Sequence, residues 1–117
     1  MDDAEVVRGL EAGGEAAAKA AAAQLARVAA LEWAEHGIRV NQVEPDAVFD
    51  TAIWTPELLK ARAAHYGLTV EEYRTRNLLH VEVTSATVAD AVAAFCESFP
   101  ATTGAHLTVD GGNDRVI

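Results

Sequence analysis

The chain has 117 residues, of which 50% are hydrophobic and 23% charged, a composition and length typical of one globular domain. Nine basic and eighteen acidic residues give a formal net charge of −9, which argues against nucleic acid and anionic membranes as partners. The chain starts with acidic residues rather than an export signal, and no apolar run approaches the ~18 residues of a membrane helix. We therefore expect a cytoplasmic protein.

Cysteine and histidine positions bear on redox and metal chemistry. The single cysteine, Cys96, excludes an intramolecular disulfide, and it neighbours an apolar helical stripe, which favours a half-buried structural side chain. His36, His65, His80 and His106 are scattered and show no ligand spacing. No metal site is predicted.

An alanine-rich segment fills much of the first third of the chain. Ten of the fifteen residues 16–30 are alanine, which predicts one long helix over residues 15–36 with Gly37 as its left-handed cap. Gly13 and Gly14 are expected to separate it from a short helix near residues 5–10. A helix that is apolar nearly all round is expected to be covered on two sides.

Two short segments predict β-strands. Residues 38–43 contain β-branched apolar residues and are followed by Pro45, which ends the strand. Residues 105–109 follow a turn and lead into a second turn over residues 110–112. Residues 46–55 lack a clear period and are predicted to form a loop.

Capping patterns predict two helices in the middle of the chain. Residues 55–57, with the sequence Thr-Pro-Glu, begin a helix that is expected to run to about residue 66 and to stop at Gly67. Residues 69–72 form a capping box that opens a second, shorter helix. Residues 77–83 are predicted to connect this helix to the next element.

A further helix is predicted between Thr84 or Ser85, either of which can cap it, and Pro100. Apolar residues recur there at three- and four-residue steps, and they predict one buried face: Val88, Ala91, Val92, Phe95 and Phe99. The order of helices and strands along the whole chain indicates an α/β fold with parallel pairing. Two strands do not complete such a sheet, so we expect the chain to pair with another copy, to pair with a second polypeptide, or to repack.

Several segments, taken together, resemble the short-chain dehydrogenase/reductase family. They are residues 18–20, residues 31–43 (LEWAEHGIRVNQV) and residues 103–112 (TGAHLTVDGG). Residues 53–59 and 76–79 are most similar to the dehydrogenase half of bifunctional rhamnulose-phosphate aldolase/alcohol dehydrogenases. The resemblance covers residues 14–113 of a single domain over residues 1–117, with residues 1–13 as an extension.

The resemblance implies a partial Rossmann-like fold that corresponds to the carboxyl-terminal portion of the family. No glycine-rich turn between a strand and a helix is present in the sequence to hold a dinucleotide pyrophosphate. The family's Tyr-x-x-x-Lys motif is matched at Lys19, whose counterpart bonds the cofactor ribose, whereas Glu15 replaces the proton-donating tyrosine. A carboxyl group titrates near ~4.3 and holds no proton at neutral pH. The alternative is a helix-supporting ion pair between these residues.

Other positions acquire expected roles from the same resemblance. The loop after the first strand approaches the nicotinamide in the family, which would place Pro45, Asp46, Val48 and Thr51 near a cofactor if a partner completed the fold. Asp50 lies in that loop without an assigned role. Three further residues would line a substrate cleft in a complete enzyme, and otherwise pack or form a contact patch: Trp54, Leu58 and Leu59.

Three functions remain open on the sequence. The favoured one is a catalytically silent module that associates with other chains, most simply as a homodimer, and has no cofactor of its own. The alternative is an NAD- or NADP-dependent oxidoreductase subunit for a sugar or alcohol, completed by a separate amino-terminal half. A third is a small-molecule binding protein with its pocket around Trp54.

Overall fold

The structure is a computed structural model that describes residues 3–113, without the side chains of residues 4–10. Residues 1 and 2 of the predicted extension lie outside the described residues. A short 3₁₀ turn (Ala34–His36) follows the first helix, and the other elements are α1 (Asp3–Trp33), β1 (Gln42–Pro45), α2 (Pro56–His65), α3 (Val70–Arg74), α4 (Ser85–Glu97) and β2 (His106–Val109).

The two strands form one parallel sheet. The amide of Gln42 donates to the carbonyl of Ala105 at 2.9 Å, and four residues further on the amide of Asp46 donates to the carbonyl of Val109 at 3.2 Å. Both strands therefore run in the same direction. The predicted α/β class with few parallel strands and a long alanine-rich helix is confirmed.

The described chain divides into two compact units. We call residues 3–42 with 102–105 the helical unit, and residues 43–101 with 106–113 the core unit. The division falls within β1 and immediately before β2. The single domain predicted from length stays a prediction.

Helix α1 is longer than the sequence pattern indicated. It runs without interruption from Asp3 to Trp33, so the predicted break at Gly13 and Gly14 is wrong. A glycine costs about 1 kcal/mol in a helix relative to alanine, and the alanine-rich stretch that follows supports continuation of the same helix. The predicted cap is confirmed, because Gly37 has a φ of 69° and its amide donates to the carbonyl of Ala34.

Small residues make the contacts of α1 within the helical unit. Ala30 is buried, and a Cβ placed on Gly104 would lie 3.9 Å from its Cβ. The side-chain amide of Gln42 donates to the carbonyl of Ala23 at 3.2 Å. Larger apolar residues of α1 point elsewhere, because Leu25 and Leu31 are 69% and 81% exposed. The predicted cover on two sides is not found among the described residues.

Asn41 fixes the segment between α1 and β1. Its side-chain amide donates to the carbonyl of Thr102 at 3.1 Å, and its side-chain oxygen accepts from the amide of Ala105 at 3.0 Å. The amide of Val40 donates to the hydroxyl of Thr103 at 3.0 Å. The carbonyl of Val40 accepts from the amide of Gly104 at 2.8 Å, but the amides of Val40 and Ala105 are bonded to side chains rather than to backbone carbonyls. β1 therefore begins at residue 42 rather than 38 and includes Pro45.

An aromatic cluster forms the centre of the core unit. Phe49, Leu59, Ala63 and Tyr73 are buried together, and Trp54 packs partly buried against them. The rings of Phe49 and Trp54 meet edge to face at 4.9 Å between centroids, a favourable geometry for aromatic pairs.

The predicted caps position the helices around this cluster. The hydroxyl of Thr55 accepts from the amide of Leu58 at 3.1 Å at the start of α2. At the start of α3, the hydroxyl of Thr69 accepts from the amide of Glu72, whose carboxylate accepts in return from the amide of Thr69. The predicted capping box is therefore confirmed, as is the end of α2 before Gly67, which has a φ of 69°.

Helix α4 is less buried than the sequence pattern predicts. Thr84 caps it, but none of its residues is buried, and Val92 and Phe99 of the predicted buried face are 46% and 54% exposed. The core unit builds its centre from α2, α3 and the loop after β1 instead. Cys96 is exposed, so its predicted half-burial is also wrong.

Candidate functional site

The carboxyl ends of the two parallel strands lie side by side in the core unit. The amide of Asp46, which follows β1, donates to the carbonyl of Val109, the last residue of β2. Ligands of open α/β sheets bind outside the carboxyl ends of the strands. This edge, with the loop after β1 and the turn after β2, is the candidate site.

The predicted cofactor loop forms the first part of this edge. Pro45 ends β1, and the exposed carboxylate of Asp46 accepts from the side-chain amide of Asn113 at 2.7 Å. Val48 is half-buried, and Thr51 is exposed, with its carbonyl accepting from the amide of Trp54 at 3.0 Å. These four predicted residues therefore occupy the last position of β1 and the loop that follows it, and their role toward a cofactor stays a prediction.

Asp50 has a structural partner in the same unit. Its two carboxylate oxygens lie 3.0 and 3.1 Å from the amide of Ser85, and one of them accepts from the hydroxyl of Ser85 at 2.9 Å. Ser85 is the first residue of α4, so the carboxylate satisfies a free amide at the positive end of that helix. Asp50 therefore joins the loop after β1 to the start of α4.

The turn after β2 forms the second part of the edge and depends on a close backbone approach. Gly111 and Gly112 have φ values of 64° and 82°, and the buried carboxylate of Asp110 accepts from the amide of Gly112 at 2.7 Å. A Cβ on Gly111 would lie only 2.5 Å from Cγ of Asn77. Glycine is therefore required at position 111 by both conformation and space.

Asn77 holds the segment that packs against this turn. It is 3% exposed, its side-chain oxygen accepts from the amide of Val81 at 3.2 Å, and its side-chain amide donates to the carbonyl of the same residue at 2.6 Å. The amide of Leu79 donates to the carbonyl of Gly111 at 3.1 Å. Neither Asn77 nor Asp110 has a role predicted from the sequence, where the one available signal is an amide residue inside a connector.

An open groove of about 440 Å³ lies beside this turn in the core unit. Its walls are mainly apolar and include two acidic residues, Glu82 and Asp110. The lining residues come from the connector, the start of α4 and the end of β2: Leu79, Val81, Glu82, Val83, Thr87, Thr108, Val109, Asp110, Gly111 and Gly112.

Glu15 and Lys19 form an ion pair on α1 in the helical unit. Their charged atoms are 3.1 Å apart, and the side chains of Lys19 and Glu15 are 78% and 69% exposed. Exposed i,i+4 pairs support a helix by a few tenths of a kcal/mol. The structure brings the two predicted residues together in this way, and their catalytic role stays a prediction.

The remaining titratable side chains have no described partners that suggest catalytic chemistry. His106 Nε2 lies 2.8 Å from a carboxylate oxygen of Glu44, and His36 lies 3.5 Å from Glu35. Among the side chains that the structure describes, no three histidine, cysteine or acidic groups come together in an arrangement for a metal ion. In the same part of the chain, no helix combines the length and apolarity needed to cross a bilayer.

Two pairs of adjacent glycines are the candidates for binding the pyrophosphate of a dinucleotide. Gly13 and Gly14 lie inside α1, so they form no turn between a strand and a helix. Gly111 and Gly112 follow β2, but Asn77 and Leu78 fill the space where their Cβ atoms would be. Neither pair offers free amides at a helix start for a pyrophosphate. The described residues therefore do not fit the pyrophosphate of NAD or NADP by themselves.

Comparisons with known proteins place the chain in a family. A family profile described as enoyl-(acyl carrier protein) reductase matches residues 4–114. The chain is 42% identical over 113 residues to an uncharacterised oxidoreductase, YuxG, from Bacillus subtilis, with 92% of this chain and 16% of that protein covered. It thus spans about a sixth of that relative's length.

A solved structure agrees with this assignment. The chain superposes with a TM-score of 0.65 on a short chain dehydrogenase family protein from Francisella tularensis, at 27% identity. The match covers 83% of this chain and 41% of that structure. With a profile match over nearly its whole length and a fold shared with a dehydrogenase, the chain belongs to the short-chain dehydrogenase/reductase family.

Proposed function

We propose that this chain acts as an association module with a dehydrogenase fold, and that alone it neither binds NAD(P) nor transfers hydride. Exposed large apolar side chains of α1 carry the proposal. Leu25 and Leu31 are 69% and 81% exposed and Trp33 is 47% exposed, whereas the one buried residue among the described side chains of α1 is Ala30. Burying such side chains against another chain is favourable by about 25 cal/mol per Å² of apolar surface.

A second copy of the chain is the partner that we propose. The net charge of −9 would oppose association of two copies, but α1 from Ala16 onward carries few charges. A dimer closed by a two-fold axis would bury the same residues from both copies. Association through α1 would also cover the apolar residues that the helical unit leaves open.

Sedimentation equilibrium across a concentration series tests this proposal. The double variant Leu25→Glu/Leu31→Glu should sediment as a monomer at concentrations where the wild-type chain is a dimer. Ile53→Glu is the matched control, because Ile53 is 75% exposed but lies in the core unit. A wild-type chain that stays monomeric throughout, or equal dissociation by the control variant, would refute the proposal.

A second function is favoured by the loop at the carboxyl edge of the sheet and by the exposed position of Lys19. Here the chain would be one part of an NAD- or NADP-dependent oxidoreductase acting on a sugar or alcohol. The relationship to YuxG, described as an oxidoreductase, supports this alternative. The resemblance of residues 53–59 and 76–79 to the dehydrogenase half of rhamnulose-phosphate aldolase/alcohol dehydrogenases makes a sugar-derived substrate the specific proposal.

Fluorescence titration with NADH and NADPH separates the two functions. The chain alone should leave nicotinamide fluorescence unchanged, whereas the alternative needs binding once a separate polypeptide with a glycine-rich dinucleotide turn is added. In that assembly, Glu15→Tyr should raise turnover if the proton donor is the missing group. Tight NADH binding by the chain alone would contradict the association proposal's claim that it has no cofactor site.

A further inference from the structure

Arg76 lies over two tyrosine rings in the core unit. Its guanidinium carbon is 4.7 Å from the ring centroid of Tyr66 and 5.2 Å from that of Tyr73. The two rings are themselves stacked, with centroids 5.9 Å apart and an interplanar angle of 14°. Contact with aromatic faces attracts a guanidinium group and restricts its motion.

The aromatic cluster ties this arginine to the middle of the unit. Tyr73 is 7% exposed, and its ring lies 5.2 Å from that of Phe49, which belongs to the loop after β1. Tyr66, in contrast, is 50% exposed at the end of α2. The guanidinium is therefore packed against a buried ring, that of Tyr73, and stays accessible to solvent because Arg76 is exposed.

The neighbouring carboxylates already have partners. Glu71 pairs with Arg74 at 3.6 Å, and a second carboxylate, from Glu82, lies 3.6 Å from the same arginine. The carboxylate of Glu72 accepts from the amide of Thr69 in the capping box. Among the described side chains, which do not include those of residues 4–10, no ion pair or hydrogen bond joins the guanidinium of Arg76 to another group.

We propose that Arg76, held by Tyr66 and Tyr73, is a binding site for an oxyanion of a small molecule, either a carboxylate or a phosphate group. The guanidinium carbon lies over both tyrosine rings, and the N–H donors of a guanidinium lie in its own plane, where two parallel hydrogen bonds to an oxyanion form. An arginine already restricted by stacking loses less rotamer freedom on binding than a free one. The proposal is independent of dimerisation and of hydride transfer.

Titrations of the whole chain with inorganic phosphate and with acetate, followed by NMR, test this site. The side-chain Nε–H signal of Arg76 and the ring signals of Tyr66 should shift in a saturable manner. Sodium chloride at matched ionic strength should not reproduce the shifts. Stronger binding of phosphate would identify a phosphate ester as the natural ligand class, and stronger binding of acetate a carboxylate. Identical responses to all three salts would overturn the proposal.

Variants separate a defined site from general attraction by positive charge. Arg76→Gln should weaken binding of the preferred anion about tenfold, the equivalent of ~1.4 kcal/mol. Arg76→Lys keeps the charge but not the planar donors, and should weaken binding nearly as much. Arg62→Gln is the matched control, because Arg62 is an exposed arginine of α2 that no ring contact restricts.

The variants also distinguish binding from folding. Far-UV circular dichroism shows whether Arg76→Gln retains the wild-type fold, and Tyr66→Ala offers a second route, since it removes the exposed ring while keeping the arginine. Tyr66→Ala should also weaken anion binding. Unchanged binding in Arg76→Lys, or an equal loss in Arg62→Gln, would show that charge alone attracts the anion and would refute the proposal.

Discussion

The helical unit and the core unit are stabilised by different interactions. In the helical unit, a helix of 31 residues buries only Ala30 among its described side chains. In the core unit, α2 and α3, of 10 and 5 residues, pack around buried aromatic and aliphatic side chains, and capping bonds set the starts of both helices. Local propensity therefore accounts for α1, whereas contacts between distant residues account for α2 and α3.

This difference suggests where each unit is sensitive. Substitutions in the core unit should change the free energy of unfolding, because they remove packing or strain the backbone. Substitutions on the exposed side of α1 should change association and leave the folding of a single chain almost unaltered. Four predictions test this contrast, beginning with the largest expected effect.

Leucine truncations give the most direct comparison of the two units. Leu59→Ala removes a side chain that is 8% exposed and should lower the free energy of unfolding by about 3 kcal/mol. Leu25→Ala removes one that is 69% exposed and should change it by less than about 0.5 kcal/mol in dilute, monomeric protein. Urea denaturation measures both. Equal losses would remove the proposed contrast between the units.

Gly111→Ala probes the close approach at the turn after β2. The new Cβ would meet Cγ of Asn77 at 2.5 Å, in a backbone with a φ of 64°. We expect a loss of about 2 to 3 kcal/mol, because Asn77 is buried and bonded to Val81 and cannot move aside without breaking those bonds.

Gly67→Ala is the control for this substitution. Gly67 has a similar φ of 69°, but no atom lies within 4 Å of the position that a Cβ would take. It should therefore lose only the conformational part, about 1 kcal/mol. Similar losses in the two variants would show that backbone conformation, rather than contact with Asn77, determines the need for glycine at position 111.

The sequence predicted those elements whose signals are local. Thr55 with Pro56, and Thr69 with Glu72, set the starts of α2 and α3, and both starts are found where the capping patterns placed them. Gly37 ends the helical segment as predicted. Such signals depend on bonds between residues three or four apart, so the sequence alone contains them.

Elements that depend on contacts between residues far apart in the sequence were predicted less accurately. The start of β1 depends on Asn41 and its bonds to residues 102–105, some sixty positions along the chain. At the candidate site, the loop residues from Pro45 to Thr51 could be proposed from a family resemblance. The approach of Asn77 to Gly111 could not, because no periodicity or cap joins residues so far apart.

Replacing the adjacent glycines Gly13 and Gly14 of α1 tests how far propensity alone supports that helix. Gly13→Ala/Gly14→Ala should stabilise it by about 1 kcal/mol per site and raise the circular dichroism signal at 222 nm modestly. Nothing lies within 4 Å of either Cβ position, so no clash opposes the change. A large increase in helicity would instead indicate that the glycines interrupt α1, as the sequence pattern predicted.

The smallest expected effect concerns the capping box of α3. The backbone amide of Thr69, and then its hydroxyl, lower the pKa of Glu72 from its ordinary value of 4.5. A carboxyl with a lowered pKa in the folded state stabilises the fold above its unfolded pKa, and this contribution is lost as the pH falls through the folded value. Glu72→Gln should therefore destabilise the chain slightly at pH 6 to 7.

The pH dependence of this difference is the informative measurement. Denaturation at a series of pH values should show the free energies of unfolding of the wild type and Glu72→Gln converging below pH 4.5. As the pH falls, Glu72 is protonated first in the unfolded chain and then, at lower pH, in the folded chain. Glu57→Gln is the matched control, since Glu57 lies in the first turn of α2 without a capping box. A difference that stays constant from pH 7 to pH 3 would mean that the hydrogen bonds of Glu72, rather than its charge, stabilise α3.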